Sequence, residues 1–384
     1  MKVKLKELGT ISTGNTPNKN ISEFYDAEDI GFVKPDIISD LRIDYIVKTT
    51  EYLSEAARTK ARIVKRDAVF VTCIGSIGKV GITKGDEFAF NQQINAIEPN
   101  EKILPKYLAY SIWANKKKLQ AIANAPVVPI INKTQFGEFE IDITDDVDEQ
   151  VRIVKLLDKV CAIITDRKTE LEKLDELIKA RFVELFGNPL DSNKVNYIFT
   201  ECVEFNPKKS EVKDLQDLEV SFVPMECVGV DGSFSIKGTG LVSDYYSGYT
   251  YFRDGDVLLA KITPCFENGK VAIATDCKNG IGFGTTEFHV SRPLKGITNS
   301  VWIKYLLKND MVHDLATINM SGSAGQKRIQ TPFFNKLKVY VPPIEEQEQF
   351  ADFVHQVDKS KFAVQNALDT AQTLMDSLMQ QYFG

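Results

Sequence analysis

Few residues in this chain have the types and spacing that chemistry needs. Cys73-Ile74-Gly75-Ser76-Ile77-Gly78-Lys79-Val80 has the glycines and lysine of a phosphate loop. Such a loop keeps four residues between its glycines and a Ser or Thr after its lysine for Mg²⁺. Two residues and Val80 stand in those places, so the stretch reads as a tight β-turn. Gly280-Ile281-Gly282-Phe283-Gly284 is not followed by a helical pattern, as a dinucleotide site requires. Val341-Pro342-Pro343-Ile344 has the double proline of amino-methyltransferase sites. It lacks the preceding Asn or Asp that would bond the amine and the aromatic that would stack on the base. It reads as a strand end ahead of a helix. His289, His313 and His355 lie far apart, the six cysteines form no C-x-x-C pair, and the carboxylates form no metal-nuclease cluster. No catalytic centre and no metal site are expected, and the cysteines read as reduced core residues.

Polar loops are the other candidates. Asn15, Thr16, Asn18 and Lys19 lie in Ser12–Asn20, and Asn91-Gln92-Gln93 puts three amides together. Amides bond adenine bidentately in a major groove. Asn132-Lys133-Thr134-Gln135 is similar. Further along stand Lys261-Ile262-Thr263-Pro264 and Ser321-Gly322-Ser323-Ala324-Gly325-Gln326-Lys327-Arg328. The second of these could cradle a phosphate on backbone N–H groups, helped by Lys327 and Arg328. Lys34, Lys79 and Lys270 lie in or beside short repeated motifs. The candidate contact residues are therefore Asn15, Thr16, Asn18, Lys19, Lys34, Lys79, Gln92, Gln93, Lys133, Lys261, Thr263, Lys270, Ser321, Ser323, Gln326, Lys327 and Arg328. The competing reading makes each of these loops a solvated surface.

Those loops must be held by something, and the chain builds its scaffold twice. Phe32-Val33-Lys34-Pro35 is echoed by Phe222-Val223-Pro224, and Asp67–Val71 by Asp256–Ala260. Gly78-Lys79-Val80 returns as Gly269-Lys270-Val271, and Lys106-Tyr107-Leu108 as Lys304-Tyr305-Leu306. Each copy reads as α/β with short strands. In the first, Ala68–Cys73, Val80–Ile82, Gln93–Ile97 and Phe136–Ile143 read as strands and Pro105–Asn124 as a helix. In the second, the counterparts are Asp256–Ile262, Lys270–Ala274, Glu287–Val290, Leu337–Val341 and a helix near Asn299–Thr317.

Each copy ends in a long helix. From Glu149 to Gly187 apolar residues alternate at spacings of three and four: Ile153, Leu157, Val160, Ile164, Leu171, Leu174, Ile178, Leu185. Only Arg167 and Arg181 break this coiled-coil seam. Gly187 is placed to take a left-handed C′ conformation, and Pro189 cannot continue the helix. The seam returns without a gap as Phe350, Val354, Val357, Lys361, Val364, Leu368, Ala371, Met375, Leu378 and Tyr382. Two such helices joined through a globular block are natural antiparallel partners. About 38 residues at ~1.5 Å each make a rod of ~57 Å, or at most ~17 base pairs of DNA at ~3.4 Å per pair.

The chain has 384 residues, 47 basic and 53 acidic, for a net charge of −6. The acidity sits in 345–384, with 2 basic and 7 acidic residues, while 1–148 carries 20 and 21. A chain that grips nucleic acid unaided is usually basic; this one is not. No apolar run reaches membrane-spanning length, and Met1–Gly9 lacks a signal-peptide core. A cytoplasmic protein is expected, with no membrane partner.

This layout resembles the specificity (S) subunit of type I restriction–modification systems. The carrying features are the two-domain repeat, the equal helices, Glu149-Gln150 and Glu346-Gln347 opening them, and Leu185-Phe186-Gly187-Asn188-Pro189 closing the first. Phe383-Gly384 matches Phe186-Gly187, and Pro342-Pro343-Ile344-Glu345-Glu346-Gln347 also looks like that family. The first copy departs from its proline-rich junction, with Ile141-Asp142-Ile143-Thr144-Asp145-Asp146-Val147-Asp148. The resemblance implies an α/β protein with two target-recognition domains, 1–148 and 188–344. They are separated by a central spacer helix at 149–187 and a C-terminal one at 345–384, paired antiparallel. It further implies a non-catalytic subunit of an adenine methyltransferase and ATP-dependent endonuclease. The partners would be double-stranded DNA, two modification subunits and restriction subunits. S-adenosylmethionine, ATP and Mg²⁺ would sit on those partners, with no cofactor on this chain. Two half-sites one to one and a half turns apart would follow. The competing reading is a coiled-coil protein scaffold with no DNA role.

Overall fold

The structure is a computed structural model that describes residues 1–85, 87–123, 128–323 and 325–384. The chain forms two compact units, Met1–Thr169 with Gln365–Gly384, and Glu170–Val364.

The first unit contains β1 (Lys2–Lys4), β2 (Gly9–Thr13), β3 (Ile30–Val33), β4 (Asp44–Ile46), β5 (Glu51–Leu53) and β6 (Ile63–Lys65). Next come β7 (Val69–Thr72), β8 (Val80–Thr83), β9 (Glu87–Phe90) and β10 (Ile94–Pro99). Helices α1 (Pro105–Ala114), α2 (Lys116–Ala121) and α3 (Lys133–Glu138) follow, then β11 (Glu140–Asp142) and the long α4 (Val147–Phe186). One sheet has the order β2-β10-β7-β8-β4, a second β5-β3-β9-β6, and β1 pairs with β11. All pairings are antiparallel except β4 with β8 and β3 with β9.

The second unit repeats this plan. Its strands are β12 (Tyr197–Ile198), β13 (Val203–Phe205), β14 (Glu219–Val223), β15 (Gly238–Leu241), β16 (Thr250–Arg253), β17 (Val257–Ala260), β18 (Val271–Ile273), β19 (Ile281–Gly284), β20 (Phe288–Pro293) and β21 (Lys338–Val339). Its short helices are α5 (Phe199–Cys202), α6 (Val242–Tyr245), α7 (Ser300–Leu307), α8 (Asp310–Ile318) and α9 (Thr331–Phe334), and α10 (Ile344–Phe383) closes the chain. The sheet orders are β13-β20-β17-β18 and β15-β14-β19-β16, with β12 on β21. Strand for strand this is the first unit without a partner for β4. Even the parallel pair recurs, as β14 with β19.

Central strands are apolar on both faces because both faces are covered. Side chains alternate along a strand, so Val69 and Val71 enter the core under α1 while Phe70 enters the core between the sheets. Val257 and Leu259 against Leu258 do the same in the second unit.

Some expectations need correction. The helix expected over Pro105–Asn124 is broken at Asn115, whose buried amide donates to the Ser111 carbonyl at 3.0 Å. Helix α2 ends at Ala121, and Asn124 lies outside the described residues. The second-unit helix breaks likewise, with Asn309 capping α8 through Met311 N. The strand expected from Phe136 begins only at Glu140, because Lys133–Glu138 is helical. Cys73, Cys202, Cys227 and Cys277 are buried, while Cys161 and Cys265 are half-buried. Burial pushes the Cys73 thiol up to about 12.

The long helices form a pair in each unit. In the first, Ile153, Leu157 and Val160 of α4 share a core with Met375, Leu378 and Phe383 of α10. In the second, Ile178, Phe182 and Phe186 meet Phe350, Val354 and Val357. Each time the start of one helix lies against the end of the other, so the pairing is antiparallel. Of the α10 seam only Lys361 and Tyr382 are not fully buried, and Lys361 bonds Asp175 at 2.6 Å. At the end of α4 the expected Leu185 is only half-buried, and Phe182 and Phe186 take the core instead. They pack edge-to-face on Phe350, both at 5.5 Å between centroids. Gly187 ends α4 at φ 68°, with its N–H on the Val183 carbonyl.

Candidate nucleic-acid interface

Beyond the C-terminal end of β7, three loops of the first unit are tied by main-chain bonds. Cys73 N donates to Gln93 O at 2.7 Å, Ile131 N to Cys73 O at 2.9 Å, and Gly75 N to Pro129 O at 3.0 Å. Ile74 and Ile130 form an antiparallel bridge. The end of β17 repeats the pattern. Lys261 N donates to Glu287 O at 2.9 Å, Ile329 N to Lys261 O at 2.9 Å, and Thr263 N to Lys327 O at 3.0 Å. Ile262 bridges Arg328. The main chain is thus the same frame twice, with different side chains mounted on it. Gln93, Ile130 and Pro129 in one unit stand where Glu287, Arg328 and Lys327 stand in the other.

The turn between β7 and β8 has Gly75 at φ 74° and Gly78 at φ 88°, which only glycine adopts freely. Thr72 locks it, accepting from Lys79 N at 3.0 Å. The connection runs over seven residues, 73–79, and is wider than the tight β-turn expected. The amides of the first unit are partly committed. Asn91 donates to Gln93 Oε1 at 2.9 Å, and exposed Gln92 accepts from the Thr16 hydroxyl at 2.7 Å. These contacts bring Thr16, Gln92 and Gln93 to one place. Asn15 spends both ends of its amide on main chain, donating to Lys60 O and accepting from Arg62 N, each at 2.6 Å. Asn18 accepts from Asn20 N, while Lys19 is exposed.

Asn132 and Gln135 form the capping box of α3, each side chain accepting the other's main-chain N–H. Spacing alone hid this use, although Asn-x-x-Gln ahead of an apolar residue is a helix-start signal. Lys133 is exposed on the first turn of α3. Lys34 pairs with Glu51. The repeated lysines brace the sheets, Lys79 reaching Pro35 O at 3.4 Å and Lys270 reaching Met225 O at 3.2 Å.

In the loop from Ser321 to Arg328, whose Ala324 lies outside the described residues, Ser321 and Arg328 exchange both main-chain bonds at 3.0 and 2.8 Å. Gln326 N bonds Ser323 O at 3.0 Å. Three N–H groups expected to cradle phosphate therefore close the loop on itself. Lys327, Ser323 and Gln326 are exposed. Lys261 and Thr263 are half-buried, and the Thr263 hydroxyl approaches Lys327 O at 3.5 Å. The Arg328 guanidinium forks onto Glu287, with Nε at 3.0 Å and Nη2 at 2.8 Å. That pair holds the Glu287 carboxyl below the usual carboxylate range.

Sequence reasoning missed His289. It is buried in β20, donating from Nε2 to Ile329 O at 3.0 Å while Asn206 Nδ2 faces Nδ1 at 3.3 Å. It fastens the frame from inside as a neutral ring, and burial lowers its pKa to about 4 from 6.5. The folded value is depressed, so the full contribution is present above pH 6.5 and is lost as pH falls toward 4. Urea unfolding followed on Trp302, in a Trp113→Phe background, should show about 2–3 kcal/mol lost between pH 7.5 and 4.5. His289→Asn should flatten that dependence; an equally steep loss in the variant would assign it elsewhere.

Among the described residues no cluster of His, Cys, Asp or Glu could hold a metal ion, and no helix is long and apolar enough to cross a membrane. A family profile described as the type I restriction modification DNA specificity domain matches residues 1–174 and again 193–371. The chain belongs to this type I specificity family. The EcoAI specificity subunit of Escherichia coli is 40% identical over 188 residues, covering 47% of this chain and 31% of that protein. The MjaIX specificity subunit of Methanocaldococcus jannaschii is 24% identical over 220 residues, covering 56% and 50%. The chain thus spans about a third to a half of the length of these specificity subunits. The crystal structure of a type I S subunit from M. genitalium covers 100% of this chain and 96% of its own, at 14% identity and a TM-score of 0.55. A structure from work on complex assembly and conformational transition of the type I R-M system gives 0.58 at 15% identity, covering 100% and 97%. At such identities the two structures speak for the specificity-subunit fold alone.

Proposed function

We propose that this chain is the DNA sequence-recognition subunit of a type I restriction–modification complex. Residues 1–148 and 188–344 each read one half of a split, asymmetric double-stranded site. Helices α4 and α10 set the gap and dock two modification subunits. Adenine methylation with S-adenosylmethionine, and ATP- and Mg²⁺-dependent cleavage by restriction subunits, belong to those partners, all in the cytoplasm. The observation that carries this reading is the doubled frame. Two main-chain supports of one geometry with different side chains are what two half-sites of different sequence call for. For docking, Glu172, Glu176 and Lys179 are exposed on α4, Lys168 is half-buried, and Phe362 is 69% exposed on α10.

Methylome sequencing of cells expressing this chain with its modification subunit is the test. A bipartite adenine-methylated motif is expected, and replacing residues 1–148 with another family domain should change one half only. No motif, or a change in both halves, would sink the reading.

A further inference from the structure

The second frame displays one side chain whose remaining donors match a base edge. Arg328 is held at both ends of its reach. Its main chain exchanges two bonds with Ser321, and its guanidinium forks onto Glu287, itself fixed because Glu287 O accepts from Lys261 N. Arginine carries five N–H donors in a rigid plane. Nε spends one on Glu287, Nη2 spends one on Glu287, and Nη1 spends one on Gln326 O at 3.1 Å. One N–H remains on each terminal nitrogen. The side chain is 33% exposed, and its fork onto Glu287 fixes the plane in which these two donors lie.

A pair of parallel donors in a fixed plane is what the O6 and N7 acceptors of guanine require in the major groove, and it is the commonest specific base contact. A phosphate needs only a positive charge with donors, which exposed Lys327 beside it supplies without a fork. The geometry points to Arg328 as the reader of a guanine in the half-site taken by residues 188–344, with Glu287 as its positioning residue. This rests on the recognition role proposed above. In the first unit the matching frame position is Ile130, 40% exposed, whose side chain has no donors and cannot make the same contact.

The test uses the complex of this chain with its modification subunit, and first assigns the half-sites by replacing residues 1–148. Oligonucleotides carrying each base at every position of the remaining half are then compared for binding across a salt series. Arg328→Ala should abolish the preference for one guanine, a loss of about 5- to 150-fold in discrimination, and leave the other half unchanged. Arg328→Gln should move that position toward adenine, since an amide bonds N6 and N7. Glu287→Gln keeps the arginine but loosens the ionic fork, and should relax the same position less. Melting curves matching the wild type show that the variants fold. If Arg328→Ala weakens all sequences alike and lowers the salt slope by about one, the residue is a phosphate contact and the proposal is overturned. An unchanged motif overturns it too. A wild-type complex with no bipartite motif would instead refute the recognition role itself.

Discussion

Asp256→Ala is expected to destabilise the second unit by about 3–5 kcal/mol, because it leaves a desolvated guanidinium without its main partner. Asp256 immediately precedes β17 and is 1% exposed. It accepts Arg292 Nε at 2.8 Å and Nη2 at 2.9 Å, and its Oδ2 also takes Arg253 N at 2.8 Å. Arg292 stands on β20, beside β17, with its side chain 18% exposed. Alanine would therefore strand a mostly buried cation and a main-chain N–H together. Glu211 and Glu204 also touch Arg292, at 3.1 and 3.3 Å, so they decide where in the range the loss falls. A fall below about 1 kcal/mol in urea unfolding, read on Trp302 with Trp113→Phe, would mean that these glutamates take over. The first unit has Ala68 in the place of Asp256, since Thr83 N bonds Ala68 O as Ala274 N bonds Asp256 O; the sequence echo that set Asp67 against Asp256 is one residue out of register. Asp67, at the place of Gly255, is 47% exposed and pairs with Arg66 at 3.3 Å; among exposed pairs the worth is ~0–1 kcal/mol. Asp67→Asn, which keeps a residue tolerant of the φ of 65° found there, should change little.

That contrast shows what the sequence makes legible. The echo of Asp67–Val71 in Asp256–Ala260 finds the buried strands, readable because a strand covered on both faces must be apolar throughout, but sets them one residue out of register, since Val69 answers Val257. The partners of each aspartate are not legible, since Asp256 depends on Arg292, 36 residues away, and Asp67 takes the place of Gly255 in the preceding turn. The long helices are legible for the same kind of reason: a seam repeating over 40 residues has no alternative structure. Ile164, Leu171, Leu174 and Leu185 of the seam are only half-buried; at Leu185 a strict heptad drifts off a helix of 3.6 residues per turn where α4 meets the globular core. Strands β3, β5, β6 and β9 are three or four residues each, too short for period-two alternation to stand out. At the interface the residue types were visible, but their partners were not. Arg328 and Glu287 lie 41 residues apart, and the Asn132 amide is committed to the capping box of α3.

Gln150→Ala and Gln347→Ala should each cost about 3–4 kcal/mol, and each in its own unit. Both glutamines are fully buried. Gln150 Oε1 accepts from Leu104 N at 2.8 Å, and its Nε2 donates to Lys102 O at 3.1 Å and Thr144 O at 2.9 Å. Gln347 does the same with Asn299 N at 3.0 Å, and with Ile297 O and Pro342 O at 2.8 Å each. One amide thus serves the N-cap of α1 or α7, the loop before that cap, and the segment leading into the long helix. Each main-chain group left without a partner costs ~1–3 kcal/mol, reduced where water enters. Glutamate should be no better, because its carboxylate would face two carbonyls. With Trp113 in the first unit and Trp302 in the second, single-tryptophan variants separate the outcomes. Gln150→Ala should lower the Trp113 transition and spare Trp302, and Gln347→Ala the reverse. Equal losses on both reporters, or losses under about 1 kcal/mol, would refute the latch. If the latch also fixes the angle at which each globular domain leaves its helix, the proposed recognition role makes Gln150→Ala blur one half-site only. That gives the Gln of the Glu-Gln repeat a structural cause: one buried side chain ties three main-chain groups at the start of each long helix.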